Sequence, residues 1–195
     1  MVEFEQTYQS SNDRLLLPHD RASGLFEAAK EALAVDGEFW ECGVYRGGSA
    51  RILADLLRDR PRPLRLFDTF SGFHGVTRSD RPGVSDGHLF YSEDAAEEVR
   101  RFLDADFVSI YKASIPKGFE GLESARIAFA NIDVDLYKPT RDALRFILPR
   151  MVKGGRIVVD DYDDPDWPGV TQAVNELGVG GFSFSVSGTQ ARISL

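Results

Sequence analysis

Two pairs of aspartates, Asp133-Val134-Asp135 and Asp160-Asp161, are the residues best suited to chemistry in this 195-residue chain. Each closes an apolar run with strand character, IAFANIDVD over 127–135 and GRIVVDD over 155–161. Parallel strands of an open α/β sheet finish on one edge, and ligands bind in the crevice outside it. Neighbouring strands ending in this way would crowd up to four carboxylates together. Such groups repel, and one must be protonated unless a cation lies among them. All-oxygen ligation suits a hard divalent ion such as magnesium, calcium or manganese. Asp133, Asp160 and Asp161 are therefore the candidate metal ligands. The competing reading is a helix cap or a solvated loop. It weighs most for Asp135, which directly precedes the Leu136-Tyr137-Lys138-Pro139 helix start.

A second set lies earlier, in ECGVYRGGS over 41–49. A strand, a glycine turn and a helix start let a ligand approach bare backbone and meet free N–H groups. The spacing is not G-x-G-x-x-G, so the dinucleotide fingerprint is not met. A tight turn before a helix would look the same. Two acidic residues narrow the choice. Asp68 closes the second strand (LRLFD) where a carboxylate can accept hydrogen bonds from ribose hydroxyls. Glu41 sits inside an apolar strand, where an unpaired carboxylate is costly. A cationic ligand over the turn would account for it, and so would a lysine or arginine from elsewhere. S-adenosylmethionine fits the set: a positive sulfonium and amino group, a carboxylate for helix N–H groups, and a ribose for Asp68.

The elements that must position these groups read as one α/β domain over 1–195, with 1–20 as an N-terminal arm and 1–14 expected to be loose. A helix is predicted over 22–34 from apolar spacings of three and four, then strands near 37–43 and at LRLFD, with a helix over 49–58 between them. Residues 71–91 carry five glycines or prolines and two histidines, His74 and His88. With little apolar content, this stretch is expected to be a mobile segment that selects the acceptor. A helix over 92–103 with Ser92 as its cap, the strand FVSIYKA, the strand at 127–134 and a helix at Pro139 follow. Lys153-Gly154-Gly155 is expected to stop that helix before the fifth strand. FSFSVSGTQARIS alternates around Ser187-Gly188-Thr189 and predicts a closing hairpin. The fold expected is a doubly wound, Rossmann-like sheet, mostly parallel, with an antiparallel C-terminal pair.

Composition excludes several classes. Hydrophobic residues make up 43% and charged residues 28%, as in a globular protein. No apolar run reaches the length of a membrane span, and the first residues lack a secretory pattern. The single cysteine, Cys42, rules out an internal disulfide and suits a cytoplasmic setting. A net charge of −8 argues against nucleic acid as a partner. Association with further copies of the chain is left open.

ECGVYRGGS, LFDTFSGF, IDVDLYKPT, PRMVKGG and VVDDY, followed by WPG and AVNEL, resemble in order the macrocin O-methyltransferase (TylF-type) family. The likeness covers roughly 17–177. It implies a class I methyltransferase moving a methyl from S-adenosylmethionine to a hydroxyl of a sugar or phenolic natural product, commonly with magnesium. On this likeness Glu41, Gly43, Val44, Tyr45, Gly48, Ser49 and Asp68 hold the cofactor. Thr69, Ser114 and Asp133 complete the expected cofactor set, and Asp133, Asp160 and Asp161 fall on the metal ligands. The acceptor's proton could pass to Asp133, an unligated Asp135, His74 or His88, of which Asp133 and His88 are taken as the catalytic candidates. Trp167 and Tyr162 could wall the acceptor pocket. Two other readings remain: a metal-dependent hydrolase or phosphoryl-transfer enzyme using the aspartates directly, and a non-catalytic domain that keeps the cofactor fold to contact a partner.

Overall fold

The computed structural model describes residues 2–178 and 182–195. Seven strands form one sheet in the order β3-β2-β1-β4-β5-β7-β6. They are β1 (Glu38–Cys42), β2 (Leu64–Asp68), β3 (Val108–Lys112), β4 (Ile127–Ile132), β5 (Met151–Val159), β6 (Ser183–Ser187) and β7 (Gln190–Ser194). The first five are parallel, and β7 runs antiparallel to both β5 and β6. The central strands β1 and β4 are almost wholly buried, which their continuous apolar sequence requires in a sheet covered on both faces. Strand order reverses between β1 and β4, the place where doubly wound sheets bind ligands.

Side chains alternate across β1. Phe39 joins one core with Leu25, Phe26, Ile52, Leu53 and Val99. Trp40 and Cys42 join the other, with Phe67, Phe119, Leu144, Ile147 and Val174. The first core packs α2 (His19–Ala32), α3 (Gly48–Leu57) and α4 (Ala95–Leu103) on one face; α5 (Tyr137–Ile147) and α6 (Pro168–Glu176) cover the other. Among the described residues no helix is long and apolar enough to cross a membrane.

Two local expectations are corrected. The segment expected to be loose contains a helix, α1 (Phe4–Ser11), followed by a single 3-10 turn at Asn12–Arg14. Its Thr7 and Ser11 hydroxyls turn back to the carbonyls of Phe4 and Thr7, at 2.9 and 2.8 Å. Phe4 packs on Tyr8, His19 and Phe26, so aromatic contacts rather than a long apolar stripe hold the helix down. Lys153-Gly154-Gly155 does not stop the preceding helix either. It lies within β5, where the pairing with β4 jumps from Ile127↔Met151 to Phe129↔Arg156; the extra residues bulge out, and Gly154 takes a φ of 86°. The closing hairpin forms as expected, with Ser183 opposite Ser194 and Ser187 opposite Gln190.

Candidate active site

The carboxyl ends of β1, β2, β4 and β5 surround a cleft of about 390 Å³. Gly43, Val44, Tyr45, Gly48, Ser49, Asp68, Thr69, Ser114, Asp133, Asp160 and Asp161 all line it. Glu41 lies beneath the glycine turn, fully buried. Gly43 explains why this turn needs glycine. Its φ is 87°, and a Cβ there would lie 1.6 Å from the Asp133 carbonyl oxygen. The ends of β1 and β4 can therefore close on each other only over a bare backbone.

Asp68 braces the same turn. Its Oδ2 accepts the N–H groups of Val44 and Tyr45 at 2.7 and 2.8 Å, and its Oδ1 accepts the N–H of Phe70 at 2.7 Å. This carboxylate shapes the glycine turn as well as lining the cleft. Glu41 is less well served. Its Oε1 accepts the Asn131 amide at 3.1 Å, while Oε2 has no hydrogen-bond partner. Among the described residues no lysine or arginine pairs with it, so the ion-pair alternative has no support. Burial pushes Glu41 up to about 7, against the pull of Ser49 and Asn131. A buried carboxyl oxygen without a partner is rare and calls for a reason.

Across the cleft, ligand atoms of Asp133, Asp135 and Asp161 lie within 4.8 Å of one another. The expected set was Asp133, Asp160 and Asp161. Asp160 lines the same cleft but has other partners: its Oδ2 accepts Arg21 Nη1 at 2.8 Å and its Oδ1 accepts Gln190 Nε2 at 2.9 Å. Arg21 Nη1 also reaches Asp161 Oδ1 at 2.7 Å. Asp135 and Asp161 both take left-handed backbone, with φ of 61° and 59°, and both line the cleft. Burial first, and then the charges of Asp160, Asp135 and Asp161, hold the Asp133 carboxyl well above the ordinary range. Asp135 is raised in the same way, by burial and then by Asp161. Burial and Asp161 push Asp160 up to about 7, although Arg21 and Gln190 favour its charged form. Three converging carboxylates, with Asp133 and Asp135 both raised, suit a hard cation.

The histidines divide. His74 lines the cleft. His88 does not: it is exposed, with its ring 5.7 Å from Phe73, because the 71–91 segment folds on itself through Phe73 N–H to His88 O and Gly87 N–H to Phe73 O. That segment is better anchored than its composition predicts, since Phe73 and Asp80 are both buried. Trp167 lines the cleft. Tyr162 instead packs on Phe184 and donates to Asn175 at 2.9 Å. Sequence reasoning missed Arg21, Asp80, Gln190 and the Arg14–Leu17 wall. Arg21 lies in α2, just before the start predicted for that helix.

The family model described as macrocin O-methyltransferase (TylF) matches residues 19–178. The chain is 32% identical over 140 residues to the 8-demethyl-8-(2,3-dimethoxy-alpha-L-rhamnosyl)-tetracenomycin-C 4'-O-methyltransferase of Streptomyces olivaceus, covering 66% of this chain and 54% of that protein. It is 27% identical over 182 residues to the mycinamicin III 3''-O-methyltransferase of Micromonospora griseorubida, covering 83% of this chain and 72% of that one. The chain thus spans about half the length of the first of these relatives. The crystal structure of CalS11, a calicheamicin methyltransferase, shares the fold with a TM-score of 0.79 at 24% identity, covering 97% of this chain and 91% of that chain. The family match takes in the glycine turn and all four strand-end aspartates, and the chain belongs to the macrocin O-methyltransferase (TylF) family.

Proposed function

We propose that the chain is an S-adenosylmethionine-dependent O-methyltransferase acting on a hydroxyl of a sugar or phenolic natural product, with a divalent cation, magnesium first, as second cofactor. The observation that carries this reading is the orphaned Glu41 Oε2 beneath the glycine turn, beside a cleft that also gathers Asp133, Asp135 and Asp161. Family membership and the activities named for its relatives agree with it. S-adenosylmethionine, when bound, supplies a methyl group on a sulfonium that is already a good leaving group. A divalent cation among Asp133, Asp135 and Asp161 would supply charge that lowers the pKa of the acceptor hydroxyl.

The remaining work falls to the chain. The glycine turn and the start of α3 offer N–H groups to the cofactor's carboxylate. Glu41 balances positive charge from below. Asp68 holds the turn in shape and turns its free lone pairs toward the ribose. An oxygen of Asp133 left free of the cation, or His74 at the cleft wall, collects the acceptor's proton. Tyr91, Leu89 and Trp167 border the cleft and would keep water from the aligned oxygen. Calorimetric titration with S-adenosylhomocysteine, with and without magnesium, tests the cofactor site. Methyl transfer across glycosylated and phenolic compounds with adjacent hydroxyls tests the reaction. No binding of the product cofactor under either condition would defeat the proposal.

A further inference from the structure

Asp80 lies in the middle of the 71–91 segment, yet it is only 6% exposed. A buried carboxylate needs donors, and Asp80 draws them from two separate parts of the fold. Its Oδ2 accepts the Thr77 N–H at 2.7 Å and the Thr77 hydroxyl at 2.9 Å. Its Oδ1 accepts the N–H of Tyr137 at 2.6 Å. Tyr137 is the first residue of α5, a helix that the residue at its own N-cap, Leu136, does not cap with a side chain. Asp80 therefore supplies from a distance the negative charge and acceptor that a helix start wants.

That helix start is the end of the turn carrying Asp133 and Asp135. The turn is tight: Leu136 N–H donates to Val134 O at 2.6 Å, and Asp135 holds a φ of 61°. A third element closes the pocket around the Asp80 carboxylate. A Cβ added to Gly169, in the first turn of α6, would lie 2.3 Å from Asp80 Oδ1 and 2.8 Å from Tyr137 N. The glycine of the WPG sequence thus leaves room for this one contact. Beside it, Arg81 pairs with Asp166 at 3.1 Å and lies over Trp167, whose ring also meets Phe73.

We propose that Asp80 is a positioning residue that makes the ordering of the 71–91 segment and the placement of the Asp133–Asp135 turn a single event. Opening the segment withdraws the acceptor from Tyr137 N–H and lets the strained turn relax; closing it restores the carboxylate geometry as the cleft is covered. The catalytic meaning of this coupling rests on the methyltransferase reading, whereas the coupling itself does not.

Hydrogen exchange on the whole protein separates the two. In Asp80→Ala, exchange should rise together in peptides covering 71–91 and 133–138, by roughly tenfold for loss of one charge-assisted hydrogen bond, with β1 and β4 unchanged. Gly169→Ala keeps the carboxylate but displaces it, and should raise exchange in the same two stretches; it carries the test if Asp80→Ala does not fold. With a methyl acceptor, kcat should fall about tenfold while the cofactor KM stays unchanged, a split that simple destabilisation does not produce. Exchange that rises in only one of the two stretches overturns the proposal. If the wild-type protein binds no cofactor but both stretches still respond together, the methyltransferase reading fails and the coupling stands.

Discussion

Two glutamates on one strand, three residues apart, live under opposite rules. Glu38, at the start of β1, has both oxygens served: Arg65 donates through Nε at 2.6 Å and Nη2 at 2.9 Å, and the Trp40 indole donates at 2.8 Å. Burial pushes its carboxyl up, but these bonds and the Arg65 charge outweigh it and leave it below the ordinary range. Glu41, near the other end, keeps an orphaned oxygen and is pushed up to about 7. Strained backbone follows the same division. Of seven non-glycine residues with positive φ among the described residues, five line the cleft: Tyr45, Phe70, Leu89, Asp135 and Asp161. The amino end of β1 satisfies its carboxylate internally, whereas the carboxyl end leaves one oxygen of Glu41 without a partner. This is how a stable scaffold and a ligand site share one strand.

The comparison can be broken most forcefully at the carboxylate cluster. Asp133→Asn should cut methyl transfer on the order of 1000-fold, the scale of losing a proton acceptor and a charge at the reacting oxygen. Affinity for S-adenosylhomocysteine should stay within a few fold by calorimetry. Full activity in this variant would place the chemistry elsewhere.

Stability against pH should then distinguish the two glutamates, with opposite signs. Glu41 has a raised folded pKa, so its contribution is complete below the unfolded value of 4.5 and is lost as pH rises to about 7. Without cofactor that loss is on the order of 3 kcal/mol, and denaturant titrations of Glu41→Gln should lack it. Glu38 has a depressed pKa, so its contribution is present above the unfolded value of 4.5 and is lost as acid protonates it below that. Glu38→Gln should cost about 2 kcal/mol at neutral pH and leave cofactor affinity unchanged. A matching pH slope in the two variants would dissolve the contrast.

The smallest effect belongs to Asp68, which serves both the scaffold and the ligand. Asp68→Ala should weaken cofactor binding by somewhat more than about 1 kcal/mol, because the Val44 and Tyr45 N–H groups lose their shared acceptor as the ribose loses its own. Unchanged affinity by calorimetry would make Asp68 a brace for the turn alone.

How much of this could be read beforehand follows from how local each signal is. The strands, the glycine turn and the Asp pairs stand in short contiguous stretches, and their order implied a common sheet edge. Which of the four aspartates converge could not be read, because Arg21 from α2 reaches both Asp160 and Asp161 and Gln190 from β7 holds Asp160. No spacing rule links a helical arginine to a strand end 139 residues away. Asp80 was hidden for a related reason: in an irregular stretch, nothing separates a solvated aspartate from one that caps a distant helix. Helix α1 escaped because its burial relies on Phe4 and Tyr8 meeting aromatics from α2, beneath a polar composition. His88 misled because a histidine in a glycine-rich loop shows no preferred direction until Phe73 folds the loop back.

The closing hairpin has a consequence for the order in which the molecule can be made. Strand β7 is threaded between β5 and β6, and Gln190 at its start holds Asp160. A nascent chain that has emerged only as far as α6 can already pair its five parallel strands, since domains fold from the N-terminal side during synthesis. Its Asp160 would have Arg21 but still lack the Gln190 amide, and the β5 edge would still be open to any passing strand. Strand β7 therefore closes the β5 edge and brings Gln190 to Asp160 only after the five parallel strands have been made.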